Sequence, residues 1–249
     1  MRKVWRLKMK SRRETAFNGV VILTLALIIV KILIALYRIP YQNVLGDEGL
    51  YAYQQIYPIV ALGVILSMNA IPSAVTQVLS ANQTSEVYSK VILKLQYLGF
   101  IVFILLFIFA YWIAQWMGDV NLMPMLRMAS FSFILIGILG VLRGFYQSKQ
   151  EMNTLAISQV IEQLIRVGII IVAILLFIFR DWSIYEAGML AILASSIGFL
   201  GSMFYLLLKR AFSIKLKRNT SQVQWRQLFI SILTFCIKSA YRYFMANYG

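Results

Sequence analysis

The chain has 249 residues, of which 61% are hydrophobic and 13% are charged. Soluble globular domains are nearer half apolar and a quarter charged, so this composition excludes an ordinary water-soluble fold. Lysine and arginine number 24 against 9 acidic residues, which gives a net charge of +15. Histidine is absent and cysteine occurs once, at Cys236. The commonest general base, a disulfide framework and a cysteine metal site are therefore excluded.

Six apolar stretches are long enough to cross a membrane. A span needs about 20 apolar residues, and its backbone satisfies its own hydrogen bonds only as a helix or a closed barrel, so we predict helices. The six are Phe17–Tyr37, Ile56–Leu79, Leu95–Trp116, Leu126–Leu142, Ile157–Phe179 and Ile184–Leu208. A seventh stretch, Leu228–Tyr248, carries Lys238 and Arg242 and is expected to be a truncated or aberrant helix.

These stretches predict an all-α polytopic membrane protein. A basic N-terminal segment at 1–16 is followed by six transmembrane helices over 17–208. A basic loop at 209–227 and the stub of a seventh helix at 228–249 complete the predicted order.

Basic residues fall mainly on one side of the predicted spans. Seven precede the first span and six lie in the connection after the sixth, whereas the opposite side holds only Arg38, Arg127 and Arg180. Because cytoplasmic loops carry the excess of lysine and arginine, we predict a multi-pass protein of the cell membrane with a cytoplasmic N terminus. An anionic bilayer explains the positive charge, so no nucleic-acid partner is expected. The first apolar run is too long for a signal peptide and lacks a cleavage site.

Several aromatic residues lie at the predicted outer ends of the spans. They are Tyr37, Tyr41, Tyr57, Trp112, Trp116, Trp182 and Tyr185. Tyrosine and tryptophan are enriched at membrane–water interfaces, so these residues are expected to be interfacial anchors. The glycine-flanked acidic sequence Gly46–Gly49 is expected to form the first outer loop.

Charged residues at membrane depth are costly and are therefore the main candidates for a functional site. Lys31 and Arg38 are seven residues apart, close to two helical turns, so both point to one face of the first helix. Two aligned cations suit a phosphate group. The alternative is that Lys31 snorkels towards the interface and that Arg38 marks it.

Further polar residues lie in the second, fourth and fifth spans. Glu162 and Arg166 are four residues apart, so they either neutralise each other, line a polar cavity or couple an ion. Arg143 and Gln147 are also four apart, and Arg143 is expected to be mainly an interfacial anchor. Pro72 is expected to kink the second span, either as a hinge at a transport site or as a structural feature alone.

The residues for covalent chemistry are missing from this pattern. The sequence has no nucleophile paired with a base, no phosphate-binding glycine loop and no cluster of metal ligands. We therefore expect no enzyme activity, no catalytic residue, no metal and no cofactor.

Two groups of motifs resemble one protein family. The motifs are Leu33–Pro40, Gly46–Pro58 and Ile71–Val75 in the first group, and Leu142–Gln147 and Ile157–Val167 in the second. They resemble the polysaccharide biosynthesis protein family of Gram-positive bacteria, which includes the stage V sporulation protein B-like proteins. That family is related to the MurJ lipid II flippases, within the superfamily that also holds the MATE exporters.

The resemblance implies an alternating-access transporter that moves an anionic lipid-linked sugar precursor for peptidoglycan or polysaccharide synthesis. Related flippases carry cations in and just after the first helix, facing a central cavity that receives the pyrophosphate. By motif position these cations are Lys31 and Arg38. The Glu162–Arg166 motif is typical of the family, and the remaining candidates for the binding site are Arg143 and Gln147.

The sequence departs from the family in a few residues and in length. Family members often have glycine where this chain has Ile34, Ala70 and Ser148. They also have about fourteen helices, arranged as two six-helix lobes and a further pair. This sequence holds one six-helix transporter lobe and the start of the next, so a second lobe is an expected partner.

Two other functions remain open at this point. The chain is either a drug or cation antiporter of the MATE kind, with Glu162 as the proton or sodium site, or it transports nothing by itself. In the second case it is an inactive fragment or the partner of a separate second half.

Overall fold

The computed structural model describes residues 2–79, 85–209 and 223–248. Within these ranges the chain is helical and has no β-strand, which confirms the predicted all-α fold. The helices in chain order are α1 Arg2–Ile65, α2 Ile71–Leu79, α3 Ser85–Trp116, α4 Met123–Ile134, α5 Ile136–Ser148, α6 Met152–Arg180, α7 Ile184–Leu208 and α8 Trp225–Tyr248. A π-helical segment, Leu66–Ala70, joins α1 to α2, and a 3-10 turn, Val120–Leu122, precedes α4.

Several helices are long and apolar enough to cross a membrane, as expected of a multi-pass membrane protein. Those in the described part of the chain are Thr24–Leu79, Glu86–Trp116, Met152–Arg180 and Ile184–Leu208. The bent pair formed by α4 and α5 provides a fifth span if its halves are counted together. The first segment has 56 residues. As a straight helix it would be about 84 Å long, well over twice the ~30 Å thickness of the hydrocarbon core.

The long first segment is interrupted at Gly46, whose φ of 70° and ψ of −171° are not helical. Glycine adopts such a conformation readily because it has no Cβ. Division at Gly46 separates the first two predicted spans. Helix α3, the α4–α5 pair, α6 and α7 follow these two helical segments in chain order. The loop predicted over Gly46–Gly49 is thus a break at one residue between two helices.

The two ends of the predicted lobe differ in detail from the sequence-based boundaries. Helix α1 begins at Arg2, whereas the first helix was expected from residue 17. Most of the predicted basic loop, residues 210–222, lies outside the described ranges. The seventh stretch is helical as α8, and its Trp225 ring lies 4.1 Å from the Nζ of Lys94 on α3.

The fourth span is not the continuous helix that we predicted over Leu126–Leu142. It is broken at Leu135, and its halves are bent by 41°. Gln96 of α3 donates from Nε2 to the carbonyl of Ile134 and accepts from the backbone N–H of Ile138 at 3.3 Å. A side chain from another helix therefore pairs with the backbone polar groups at the break. An unpaired backbone N–H or carbonyl costs much more free energy in a membrane than in water.

Small residues allow the helices to approach closely at the centre of the lobe. A Cβ on Gly198 of α7 would lie 2.8 Å from the carbonyl oxygen of Glu162 on α6. A Cβ on Gly144 of α5 would lie 2.7 Å from Cγ1 of Val75 on α2. Close helix packing through small residues is typical of membrane proteins. It brings polar side chains of α5, α6 and α7 within reach of one another.

Candidate functional site

Helix α6 positions the first ion pair of the site. Glu162 and Arg166 lie one helical turn apart, and Nη2 of Arg166 is 2.9 Å from Oε1 of Glu162. Both side chains are almost completely buried, at 0% and 2% exposure. The structure thus contains the ion pair that the spacing of the two residues allows.

Helix α5 supplies the third charged residue. Nη2 of Arg143 is 2.6 Å from Oε2 of Glu162, and the Arg143 side chain is fully buried. The prediction that Arg143 is an interfacial anchor is therefore wrong. The sequence could not show this, because its carboxylate partner is on another helix and only the close packing of α5, α6 and α7 brings them together.

Two further groups from other parts of the chain accept hydrogen bonds from Arg143. Its Nη2 donates to Oγ of Ser202 on α7 at 3.0 Å, and its Nη1 donates to the carbonyl of Ser67 at 3.4 Å. Neither serine was among the predicted site residues. A serine in an apolar span gives only a weak signal in a sequence, because serine also satisfies its own helix backbone.

The carbonyl of Ser67 is available because of the π-helical segment that precedes Pro72. There the N–H of Ile71 bonds to the carbonyl of Leu66, five residues back. The same register would pair the carbonyl of Ser67 with the nitrogen of Pro72, which has no hydrogen to donate. Arg143 donates to this carbonyl instead. Pro72 is thus associated with a local deformation of the second span, while its predicted role as a hinge stays a prediction.

Arg143, Glu162 and Arg166, which we call the buried triad, contain two cations and one carboxylate. Both ion pairs formed within the described part of the chain share Glu162. The triad therefore keeps one positive charge in the interior of the lobe. The Nε atoms of both arginines are buried and have no hydrogen-bond partner among the described residues. Such a charge is expensive in an apolar interior unless another group compensates it.

A group of tyrosines on α1 packs in the same hydrophobic core as the part of α6 that follows Arg166. The ring centroids of Tyr53 and Tyr57 are 5.6 Å apart, and those of Tyr41 and Tyr53 are 5.2 Å apart. Tyr37 and Tyr41 are only 5% and 2% exposed, so the prediction that they are interfacial anchors is wrong. Their position on α1, packed against α6, places them in the core of the lobe.

Lys31 and Arg38 have a different environment from the buried triad. Both are exposed on α1, and the helix is unbroken between them, so their spacing keeps them on one face. Neither forms an ion pair with another residue in the described ranges. Within the described ranges, the structure therefore separates two surface cations that form no ion pair from two interior cations that do.

The remaining candidates lie near the end of α5. Gln147 is half-buried, one turn beyond Arg143. Thr76 donates to the carbonyl of Pro72 at 2.8 Å and to that of Gly144 at 3.2 Å, which ties α2 to α5 beside the triad. In the described residues, no group of three or more potential metal ligands of the histidine, cysteine, aspartate or glutamate type comes together.

Comparison with known proteins adds sequence and structural relatives to this geometry. The family described as "Polysaccharide biosynthesis protein" matches residues 16–249. The uncharacterized membrane protein YabM of Bacillus subtilis is 32% identical over 244 residues, which are 92% of this chain and 45% of YabM. Stage V sporulation protein B of the same organism is 29% identical, covering 94% of this chain and 47% of that protein.

Lipid II flippase MurJ of Bacillus subtilis is 28% identical over 207 residues, which are 76% of this chain and 38% of MurJ. The chain thus spans about half the length, or less, of the curated relatives it matches. Among solved structures, a MATE mutant superposes with a TM-score of 0.69 at 18% identity, over 90% of this chain and 54% of that one. A MOP superfamily transporter from Pyrococcus furiosus gives a TM-score of 0.65 at 17% identity, over 89% of this chain and 52% of that one. These similarities show a MATE-like fold.

Proposed function

The chain belongs to the polysaccharide biosynthesis protein family, and we propose that it forms the N-terminal lobe of a transporter that flips an anionic lipid-linked sugar precursor across the cell membrane. The single observation that carries the proposal is that Lys31 and Arg38 are exposed on one face of α1 and form no ion pair with another described residue. The names of the relatives support the substrate class, since one of them is called a lipid II flippase.

The exposure of Lys31 and Arg38 is informative because both belong to a segment that is proposed to cross the membrane. A lysine or arginine that faces lipid within the hydrocarbon region costs a few kcal/mol even on the mildest scale. A cation that faces a water-filled cavity avoids this cost and remains available to a ligand. A phosphate or pyrophosphate group would then bind to the two side chains through charge-assisted hydrogen bonds. The cavity requires an opposing surface, which we assign to a second transporter lobe.

The buried triad has a supporting role in this proposal. Its ion pairs and hydrogen bonds join α5, α6, α7 and the π-helical segment, so these elements would move as one body during alternating access. Pro72 and the π-helical segment would form the hinge at which the second span bends. Gln147, at the inner end of α5, would contact the substrate only when the inner side of the cavity is open.

A MATE-type drug or cation antiporter is the second candidate, because MATE structures share the fold. That function needs a carboxylate that can exchange a proton or bind a cation, and Glu162 is the candidate from the sequence. Both of its oxygens, however, are occupied by guanidinium groups at 2.6 and 2.9 Å. A carboxylate held in this way is a poor site for a proton or for sodium, so the geometry favours the flippase.

The proposal is tested by genetic rescue. The natural gene, with Lys31→Ala or Arg38→Ala, is expressed in a bacterial strain depleted of its own lipid II flippase. Arg180→Ala removes an exposed cation from the end of α6 and is the matched control. We expect rescue by the wild type and the control, and failure of the two α1 variants at equal membrane levels. Normal rescue by both variants would contradict the site assignment.

The antiporter has its own readout in the same strains. If the chain exports cationic drugs, ethidium accumulation falls when the gene is expressed, and Glu162→Gln reverses this effect. We expect no effect of the gene on ethidium accumulation. If the chain acts only with a separate second half, rescue requires co-expression of that half, and the two polypeptides purify together.

A further inference from the structure

A groove of about 270 Å³ lies between α4 and α7. It is lined by one residue of α4, one residue of the connection before α7 and four residues of α7, namely Met128, Trp182, Glu186, Met189, Leu190 and Leu193. None of them belongs to the buried triad or to the cations of α1 that we assign to the substrate. We propose that this groove binds a membrane phospholipid with a primary ammonium head group, and that Glu186 recognises the ammonium.

The lining residues of α7 give the groove a polar end and an apolar end. They begin at Glu186 and end at Leu193 with the spacing i, i+3, i+4 and i+7, so they share one face of the helix. This spacing corresponds to about 10 Å along the helix axis. The apolar side chains on this face are half-buried, so part of each remains open to a ligand. A carboxylate at one end and apolar side chains at the other match a ligand that is itself amphiphilic.

The length of α7 sets the depth of the groove in the membrane. The helix has 25 residues and is therefore about 37 Å long, whereas the hydrocarbon core is ~30 Å thick. A helix centred on the core extends about 4 Å beyond it at each end. Glu186, the third residue of α7, would then lie at the level of the head groups, and Leu193 would lie among the acyl chains. Trp182 just precedes the helix, and tryptophan is enriched at the head-group level.

The charge of Glu186 selects a cation. Its Oε2 accepts hydrogen bonds from the backbone N–H and the hydroxyl of Ser183 at 2.7 and 2.8 Å, and its Oε1 accepts none from the described residues. The N-terminus of α7 contributes about half a positive charge, which is less than the charge of the carboxylate. This end of the groove is therefore net negative and attracts an ammonium group. The ring of Trp182 offers the same cation a second contact through its π face.

The size of the groove distinguishes this ligand from the transported substrate. Pockets for drug-sized ligands have volumes of roughly 300–1,000 Å³, so 270 Å³ holds a small head group and part of one acyl chain. A sugar pyrophosphate is larger, and its negative charges would meet Glu186 instead of a cation. The groove therefore fits a lipid of the bilayer better than the lipid-linked precursor.

Lipid titration of the purified chain in detergent, followed by native mass spectrometry, tests the site with phosphatidylethanolamine as the probe. We expect Glu186→Gln to weaken binding roughly tenfold, which is about 1.4 kcal/mol of binding free energy. The variant should fold, because glutamine can replace glutamate in the capping box with Ser183.

Asp181→Asn is the matched control. Asp181 is an exposed acid in the same connection but does not line the groove, and asparagine tolerates its φ of 52°. We expect this variant to bind phosphatidylethanolamine like the wild type. Wild-type binding by Glu186→Gln would overturn the proposal, and so would equal losses in the two variants.

A photoreactive group on the acyl chain of the same lipid locates the site. We expect cross-links to peptides that contain Met128 or Leu193, and their loss in Glu186→Gln. Cross-links confined to helices other than α4 and α7 would contradict the groove. The double variant Lys31→Ala, Arg38→Ala should retain these cross-links, so this inference and the proposed function can fail separately. Their loss in the double variant would place the lipid on α1 and overturn the proposal.

Discussion

Arg143 and Glu162 are on neighbouring helices and form a fully buried ion pair with an Nη2–Oε2 distance of 2.6 Å. The same carboxylate binds Arg166 at 2.9 Å through its other oxygen. Among the described residues, Glu162 is therefore the carboxylate on which both buried arginines depend. This dependence makes the effects of substituting the three residues unequal, and the inequality can be measured.

Glu162→Gln should be far more destabilising than Arg166→Gln. The first substitution leaves two buried guanidinium groups without a counter-charge, and removal of one partner of a buried pair costs roughly 3–5 kcal/mol. The second substitution leaves a neutral pair and removes the surplus positive charge. Chemical unfolding in detergent, followed by far-UV circular dichroism, measures both. Equal losses of stability would show that the carboxylate is not the shared counter-ion.

Gln96→Leu should destabilise the bend in the fourth span. The carbonyl of Ile134 and the N–H of Ile138 would lose the side chain that pairs with them, at a cost of about 1–3 kcal/mol for buried groups. Tyr97→Leu is the matched control, because Tyr97 is the next residue on α3 and is 67% exposed. The same unfolding experiment applies. If Gln96→Leu were no worse than the control, the bend would not depend on this side chain.

Gly137→Ala and Gly168→Ala should have opposite effects. A Cβ on Gly137 would lie 2.4 Å from the backbone nitrogen of Gln96, so α5 and α3 would have to separate. We expect a loss of about 1–3 kcal/mol from overpacking. A Cβ on Gly168 meets nothing within 4 Å, so alanine there should be neutral or stabilise α6 through its higher helix propensity. Thermal unfolding of the two variants compares them directly, and a tolerated Gly137→Ala would contradict the close approach of α3 and α5.

The sequence predicted the all-α membrane fold because hydropathy is a property of each segment alone. The predictions from sequence were wrong where a contact with another helix determines the local structure. At the break at Leu135, the side chain of Gln96 on α3 donates one hydrogen bond and accepts another, and hydropathy does not change there. Arg143 follows an apolar run, as an interfacial anchor would, and only its contact with Glu162 distinguishes the two cases.

The prediction that Tyr37 and Tyr41 are interfacial anchors was wrong for a related reason. Tyrosine is equally suited to a membrane interface and to a polar cluster in a helical core, so its position near the end of a span does not discriminate between them. Burial of Tyr37 and Tyr41 depends on how α1 packs against α6. By contrast, the spacing of Lys31 and Arg38 could be interpreted correctly from the sequence, because a regular helix relates residues on one face without any tertiary contact.

Binding of a phosphorylated lipid is the most direct test of the proposed function. Native mass spectrometry of the purified chain would compare a polyprenyl pyrophosphate with the matching polyprenol, which lacks the charged group. We predict that the pyrophosphate lipid binds, that the neutral lipid does not, and that the double variant Lys31→Ala, Arg38→Ala loses this selectivity. Equal binding of both lipids by the wild type, or unchanged selectivity in the double variant, would contradict a phosphate site on α1.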